Sequence, residues 1–245
     1  MPRAAEHVLT HVPFSSLHET DKVDQVVQRL DHAIAAGLLP TGSRLPPEAL
    51  LARMLGISLT TLRAALGILR LRGTITTRRG RQGGSVVTAD PEAVRAAAIA
   101  RLRTLGPSEV RDEGDLHAAI LTRSATLAAE RATDGERLAL SLAATMLDEL
   151  SLMHELQLHL ELVALAQSTK LLEVELDCLL WFGGFLQLRS DTERSAMLAS
   201  LGSLVAAVAE GTSEEAGRRA QRHAERMTRW VHATLIATTH EDGQR

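Results

Sequence analysis

The sequence predicts a mainly α protein. An N-terminal winged helix-turn-helix of three helices and a β-hairpin wing is joined to an all-α C-terminal bundle of about six helices. Three observations carry this expectation. From Leu51 to Val87, LARMLGISLTTLRAALGILRLRGTITTRRGRQGGSVV reads as two helical runs split at Gly56, then two short β-like runs around an arginine and glycine cluster. Beyond residue 108, amphipathic segments follow one another with only short breaks. Aromatic residues are scarce, with two Trp, three Phe and no Tyr, so the core must be built from Leu, Ala, Val, Ile and Met, which favours packed helices.

Residues 1–19 carry scattered His, Ser and Pro without a sustained period and read as a flexible arm. In KVDQVVQRLDHAIAAGLL, Val23, Val26, Val27, Leu30, Ala33, Ile34 and Leu38 recur at helical spacing, and Gly37 and Pro40 close that helix. Pro46 and Pro47 fix the entry to a second helix, with Glu48 near its positive end and Gly56 at the turn that follows it. Ser58 is the natural N-cap of the third helix, whose inward stripe is Leu62, Leu66 and Leu69. Leu59, Thr60, Thr61 and Arg63 are then left near its exposed start, the place where a recognition helix meets base edges. Gly73 ends this helix, TITT alternates like a strand, and RRGRQGG turns back into SVVT, so Arg78, Arg79 and Arg81 sit on a hairpin able to reach phosphates or the minor groove.

Charge agrees with this division. Up to Asp90 there are 11 Lys and Arg against 7 Asp and Glu, and after it 16 against 23, so the halves carry about +4 and −7. A basic module suited to nucleic acid is joined to an acidic one that avoids it. All eight basic residues between Thr41 and Asp90 are arginine, the side chain with the fork for guanine edges and phosphates. Expected domains are therefore an arm over 1–19, a winged module over 20–88, a linker over 89–108 that contains a short helical run and then a joint at Gly106-Pro107, and a helical domain over 109–240. The helices of that domain are expected near 109–131, 134–151, 153–169, 171–188, 191–210 and 213–239. The single Cys178, in the apolar run LDCLLWFGGF, excludes an internal disulfide and reads as a small buried hydrophobe. With no signal-peptide core and no stretch near the ~18 apolar residues that cross a bilayer, a cytoplasmic protein without a membrane partner is expected.

The words AGLLPTGSRLP, LARMLGIS, TTLRAAL and RRGRQGGSVV resemble the DNA-binding domain of the GntR family of bacterial transcription regulators. By position, the resemblance implies that Ser58, Thr60, Thr61 and Arg63 face DNA, with Arg44 near the backbone and the wing tip from Arg81 through Gly83 to Gly84 at the minor groove. Two positions depart from the family: Ala49 and Leu59 stand where arginine is usual. Losing each fork costs ~1–3 kcal/mol of discrimination at one base pair. Leu59 is instead placed to touch a thymine methyl.

The second half resembles the effector-binding FCD domain of the FadR subgroup, through TLAAERAT, ELQLHLELVALAQSTKLL and LVAAVAEGTSEEAGRRAQRHAERM. In that domain an acidic residue and a histidine four positions later, with two histidines from later helices, hold a divalent metal beside a small carboxylate. Spacing of four puts both side chains on one helix face, as a shared ion requires. Glu155, His159 and His223 take three of these positions, as a zinc-like but incomplete ligand set, and Leu201 takes the fourth. His117 falls where the family has an arginine, Leu121 where it has an acidic residue, and Ser168 where it has an asparagine. The implied effector pocket is thus His117, Glu155, His159, Leu201 and His223, short of charged anchors and compatible with a fatty acyl compound or another carboxylate.

The expected function is a sequence-specific, effector-responsive homodimeric repressor acting on double-stranded operator DNA. The alternative is a ligand-sensing or scaffolding helical dimer whose winged domain binds DNA weakly or without sequence preference. Catalysis is not expected, because the chain lacks a recognisable Ser-His-Asp or Cys-His grouping and a phosphate-binding glycine loop.

Overall fold

In the computed structural model the described residues are 19–78, 84–145 and 152–242, and among them are ten helices and one two-stranded sheet. They form two compact units. One comprises described residues up to Asp31 together with Thr41–Ala89, and the other comprises His32–Pro40 and the chain from Asp90 onward.

In the first unit, the portion of helix α1 (Glu19–Ala35) up to Asp31 buries Val26, Val27 and Leu30 at the spacing read from the sequence. The expected 1–19 arm lies outside the described residues apart from Glu19, where the helix begins. Helix α2 (Glu48–Met54) is followed by Gly56, whose φ of 64° is the left-handed conformation that lets the chain reverse before Ser58. Helix α3 (Leu59–Leu71) buries Leu62, Ala65, Leu66 and Leu69. Strands β1 (Ile75–Arg78) and β2 (Gly84–Val87) pair antiparallel, Ile75 against Val87 and Arg78 against Gly84. Residues 42–45 add a further edge that the sequence pattern did not reveal. Arg44 bridges Val86, and backbone amides of Gly42 and Leu45 donate to the Val87 and Ser85 carbonyls at 2.8 and 3.0 Å.

The second unit also takes in two segments that lie outside the expected 109–240 range. The short helical run within the 89–108 segment is helix α4 (Pro91–Thr104), which starts where it does because the Asp90 carboxylate accepts from the Glu92 amide and Pro91 is set for the first turn. Ala98 and Leu102 anchor it by burial. Residues 32–40, expected within the winged module, pack with the bundle: Ala36 is fully buried in a cluster with Leu102, Leu179, Phe182 and Phe185. Gly183 makes room for it, since a Cβ there would collide with Cβ of Ala36.

The six bundle helices are α5 (Pro107–Arg131), α6 (Asp134–Ala144), α7 (Leu152–Ala164), α8 (Thr169–Leu186), α9 (Asp191–Ala209) and α10 (Ser213–Asp242). Thr133 and Ser190 each close a reciprocal capping box, with Glu136 and Glu193, and so fix two of the helix starts. The two longest helices lie antiparallel: Gly114 faces Thr228 and Gly217 faces Thr126. A hydrophobic cluster from Leu121, Leu158, Leu162, Leu201, Leu204 and their neighbours fills one part of the bundle, and the cluster around Phe182, Phe185, Met197 and Trp230 fills another.

Candidate functional site

The first candidate surface starts at the Ser58 cap. The Ser58 hydroxyl accepts from the Thr61 amide at 3.0 Å, which satisfies one of the open donors of the first turn and fixes where α3 begins. Ser58, Thr60 and Arg63 are exposed and Leu59 is half-buried, so these residues share an accessible helix start. Thr61 does not belong with them: it is buried and its hydroxyl is within 2.7 Å of Ser58 Oγ. Four residues N-terminal to Ala65 and one before Leu62, Thr61 falls on the edge of the inward face, and its expected role toward DNA is corrected to one in the cap. Arg63 donates through Nε to Glu48 at 2.8 Å, and this ion pair is exposed, so it orients the guanidinium while its other nitrogens are not part of it. Arg44 and Arg78 are both exposed, on the 42–45 edge and at the end of β1. The remaining expected wing residues, Arg79, Arg81 and Gly83, lie outside the described residues.

The second candidate lies inside the bundle, where four helices each contribute one buried polar side chain: His117 from α5, His159 from α7, Glu175 from α8 and His223 from α10. Nε2 of His117 lies 3.2 Å from Glu175 Oε1, and Nδ1 of His159 lies 3.7 Å from the same oxygen. On its other side, His159 Nε2 meets His223 Nε2 at 3.1 Å. His117 also packs on Phe182, with ring centres 5.2 Å apart. Burial, the largest single influence, would raise the Glu175 carboxyl, but contact with His117 and then His159 outweighs it and holds the group below the usual carboxylate range. Burial first, then neighbouring His159, His117, Arg226 and Arg189, pushes His223 well below the ordinary imidazole range, so it is neutral.

The ligand set implied by the resemblance does not fit a metal. Both Glu155 oxygens are taken by the Arg189 fork, at 2.8 and 2.6 Å, in a pair whose side chains are 2% and 3% exposed. Glu155 is therefore charge-compensated by a guanidinium, and its expected role as a metal ligand beside His159 is corrected. Leu201 is fully buried in the apolar cluster and offers no donor. His159 and His223 do come together, but through their own Nε2 atoms. The sequence reading missed Glu175 and Arg189. A signal for Glu175 existed: Leu172, Leu179, Phe182 and Leu186 recur at three- and four-residue steps on α8, and Glu175 occupies the one place in that stripe not held by an apolar residue. Ser168 caps α8, accepting from the Leu171 amide at 3.4 Å. Cys178 is buried and its thiol is pushed up to about 12, by burial first and by Glu175 next, so it is an inert packing residue.

Together these features define a class: a winged helix-turn-helix module, with Arg44, Arg63 and Arg78 exposed, in one chain with a helical bundle that holds a polar centre. Residues 22–86 match the family model described as bacterial regulatory proteins, gntR family. RmpR of Mycobacterium gastri, named as an HTH-type transcriptional regulator, is 42% identical over 170 residues, which are 66% of this chain and 61% of RmpR. Rv0494 of Mycobacterium tuberculosis, named as an uncharacterized HTH-type transcriptional regulator, is 38% identical over 128 residues, 51% of this chain and 52% of that protein. The chain thus spans between half and two thirds of the length of these relatives. Among solved structures, E. coli McbR/YncC superposes with a TM-score of 0.50 at 18% identity, covering 89% of this chain and 98% of that one, a likeness of fold alone. No single helix among the described residues is long and apolar enough to cross a membrane.

Proposed function

We propose that this protein is a sequence-specific, DNA-binding transcription regulator. The observation that carries the reading is the Ser58-capped start of α3, which leaves Thr60 and Arg63 exposed within a segment matching the gntR family model. The names of the two mycobacterial relatives support it. In this reading α3 enters the major groove, Arg63 and Leu59 read base edges, and Arg44 and the wing contact the backbone. A homodimer would place two such helices on a pseudo-palindromic site.

The bundle is the regulatory half in this proposal, an FCD-type domain of the FadR subgroup that binds a small effector and represses or releases DNA accordingly. Its interior holds neutral His223, the paired Glu155 and Arg189, and many buried Leu and Phe side chains, a chemistry that suits a largely apolar carboxylate such as an acyl compound better than a highly charged ligand. An effector acts only through different affinities for the DNA-competent and released arrangements.

Selection of bound sequences from a random duplex pool tests the reading. The expected result is an enriched motif of two inverted half-sites. A pool without enrichment, bound with a steep salt dependence, would instead identify a nonspecific binder, the outcome that Ala49 and Leu59 would favour.

A further inference from the structure

We propose that His117, His159 and Glu175 form a divalent-metal site inside the bundle, built from a different carboxylate and a different helix than the Glu155-based set. It gives chemical content to the regulatory half of the proposed function and rests on that reading only for its biological meaning.

Three observations point to an ion. First, ligand atoms of the three residues all lie within 4.8 Å of one another, and each residue is buried. Tetrahedral nitrogen and oxygen donors ~2.1 Å from zinc stand ~3.4 Å apart. The two distances to Glu175 Oε1, 3.2 and 3.7 Å, bracket that value. The longer one exceeds hydrogen-bond length, so His159 Nδ1 and the carboxylate face each other without a bond to join them.

Second, four other polar atoms of this cluster lack partners, although His117 Nε2 meets Glu175 Oε1 and His159 Nε2 meets His223 Nε2. Glu175 Oε2, His117 Nδ1, His159 Nδ1 and His223 Nδ1 are all buried and unbonded. Such orphans are costly in an interior and are ordinarily satisfied by water or an ion. The His159–His223 contact sharpens the point. If His159 Nε2 donates, its Nδ1 lone pair confronts the Glu175 oxygen, and if it accepts, its Nδ1–H is too far away to reach that oxygen. A cation between Nδ1 and Oε1 resolves both cases, with the His159 Nε2–H donating to His223 as the outer-shell partner that orients a ligating imidazole.

Third, charge distinguishes the two buried glutamates. Glu155 has the Arg189 guanidinium, whereas the polar neighbours of Glu175 among the described residues are His117 and His159. Two imidazoles and one carboxylate are donors suited to zinc and other first-row divalent ions, with a fourth position left for water.

The test uses the full-length protein stripped with a chelator and dialysed, then titrated with Zn²⁺ by calorimetry and with Co²⁺ by visible absorption, in the absence of DNA. The expected result is one ion per chain, a Co²⁺ spectrum of low coordination number, and a raised melting temperature. Glu175→Gln and His117→Ala are expected to weaken binding at least about a hundred-fold, beyond the ~10–100-fold typical of outer-shell changes. His223→Phe should weaken it less. The paired change Glu155→Gln with Arg189→Gln, which removes both charges, should retain binding. Circular dichroism confirms that each variant is folded. Should one of them not fold, the wild-type stoichiometry and Co²⁺ spectrum still decide. The proposal is overturned by absence of a stoichiometric ion in the wild type, or by binding that survives Glu175→Gln and His117→Ala yet is lost in the paired variant. Because no DNA is present, that failure leaves the regulator reading to the sequence selection.

Discussion

The two units use an arginine–glutamate pair in opposite ways. Arg63 and Glu48 meet on an open surface, with side chains 61% and 36% exposed, whereas Arg189 and Glu155 meet at 2% and 3% exposure. The first pair sits in high dielectric, where such contacts contribute ~0–1 kcal/mol, so Arg63 is held loosely and is free to exchange Glu48 for a partner from outside, which in the proposed function is DNA. The second pair has lost its water, and each charge depends on the other. Polar chemistry on the winged unit is thus available for binding from outside, while polar chemistry in the bundle is part of the core and answers only to what enters that core.

Breaking the buried pair should have the largest effect. Arg189→Ala leaves Glu155 buried and uncompensated, and is expected to destabilise the fold by ~3–5 kcal/mol in urea unfolding. The double change Arg189→Met with Glu155→Leu should recover most of this loss. The corresponding change on the open surface, Glu48→Ala, should cost less than ~1 kcal/mol. Equal costs for Arg189→Ala and Glu48→Ala would remove the contrast between the units.

Packing gives the next effect. Gly114→Ala drives a Cβ into the side chain of Thr228, a β-branched residue whose hydroxyl is tied to the Ala224 carbonyl at 3.0 Å and which cannot swing aside freely. A loss of ~1–3 kcal/mol in thermal or urea unfolding is expected. At the Ser58 cap, Ser58→Ala removes the acceptor for the Thr61 amide, with a cost of ~1 kcal/mol and a frayed start to α3.

Acid should give the smallest and most local effect. His32, in the second unit, is held down to about 4 from an ordinary 6.5, by burial first and by Arg101 next. Its folded state resists protonation while the unfolded chain accepts it, so the associated stability is complete above pH 6.5 and is lost as pH falls toward about 4. Melting temperatures between pH 7 and pH 4.5 should therefore decline less steeply in His32→Gln than in the wild type.

The fold was largely legible in the sequence wherever one face of a helix repeats. The six bundle segments were read from apolar spacing and from stops such as Thr133-Asp134-Gly135, and the structure starts α6 and α9 at capping boxes on Thr133 and Ser190. Local signals of this kind act within a few residues. What escaped depends on partners far apart in the chain: Arg189 reaches Glu155 across 34 positions, and the 42–45 edge pairs with β2 only once the hairpin exists. Glu175 was hidden for a different reason, because between Glu173 and Asp177 it looks like one more charge on a solvated face, while the helical phase turns it inward. The early segment 32–40 carried a helix signal but no indication of which core would bury Ala36.

In the proposed function, the exposed start of α3 reads DNA sequence. Its most direct test is a fluorescence titration of the sequence enriched from a random pool against a scrambled duplex, for the wild type and for Arg63→Ala, at one fixed salt concentration. The wild type is expected to prefer the enriched site by at least ~10³-fold. Arg63→Ala should lose ~1–3 kcal/mol of discrimination at one position per half-site while its unfolding curve stays unchanged. Equal affinity of the wild type for both duplexes, or full discrimination retained by Arg63→Ala together with variants at Leu59 and Thr60, would contradict it.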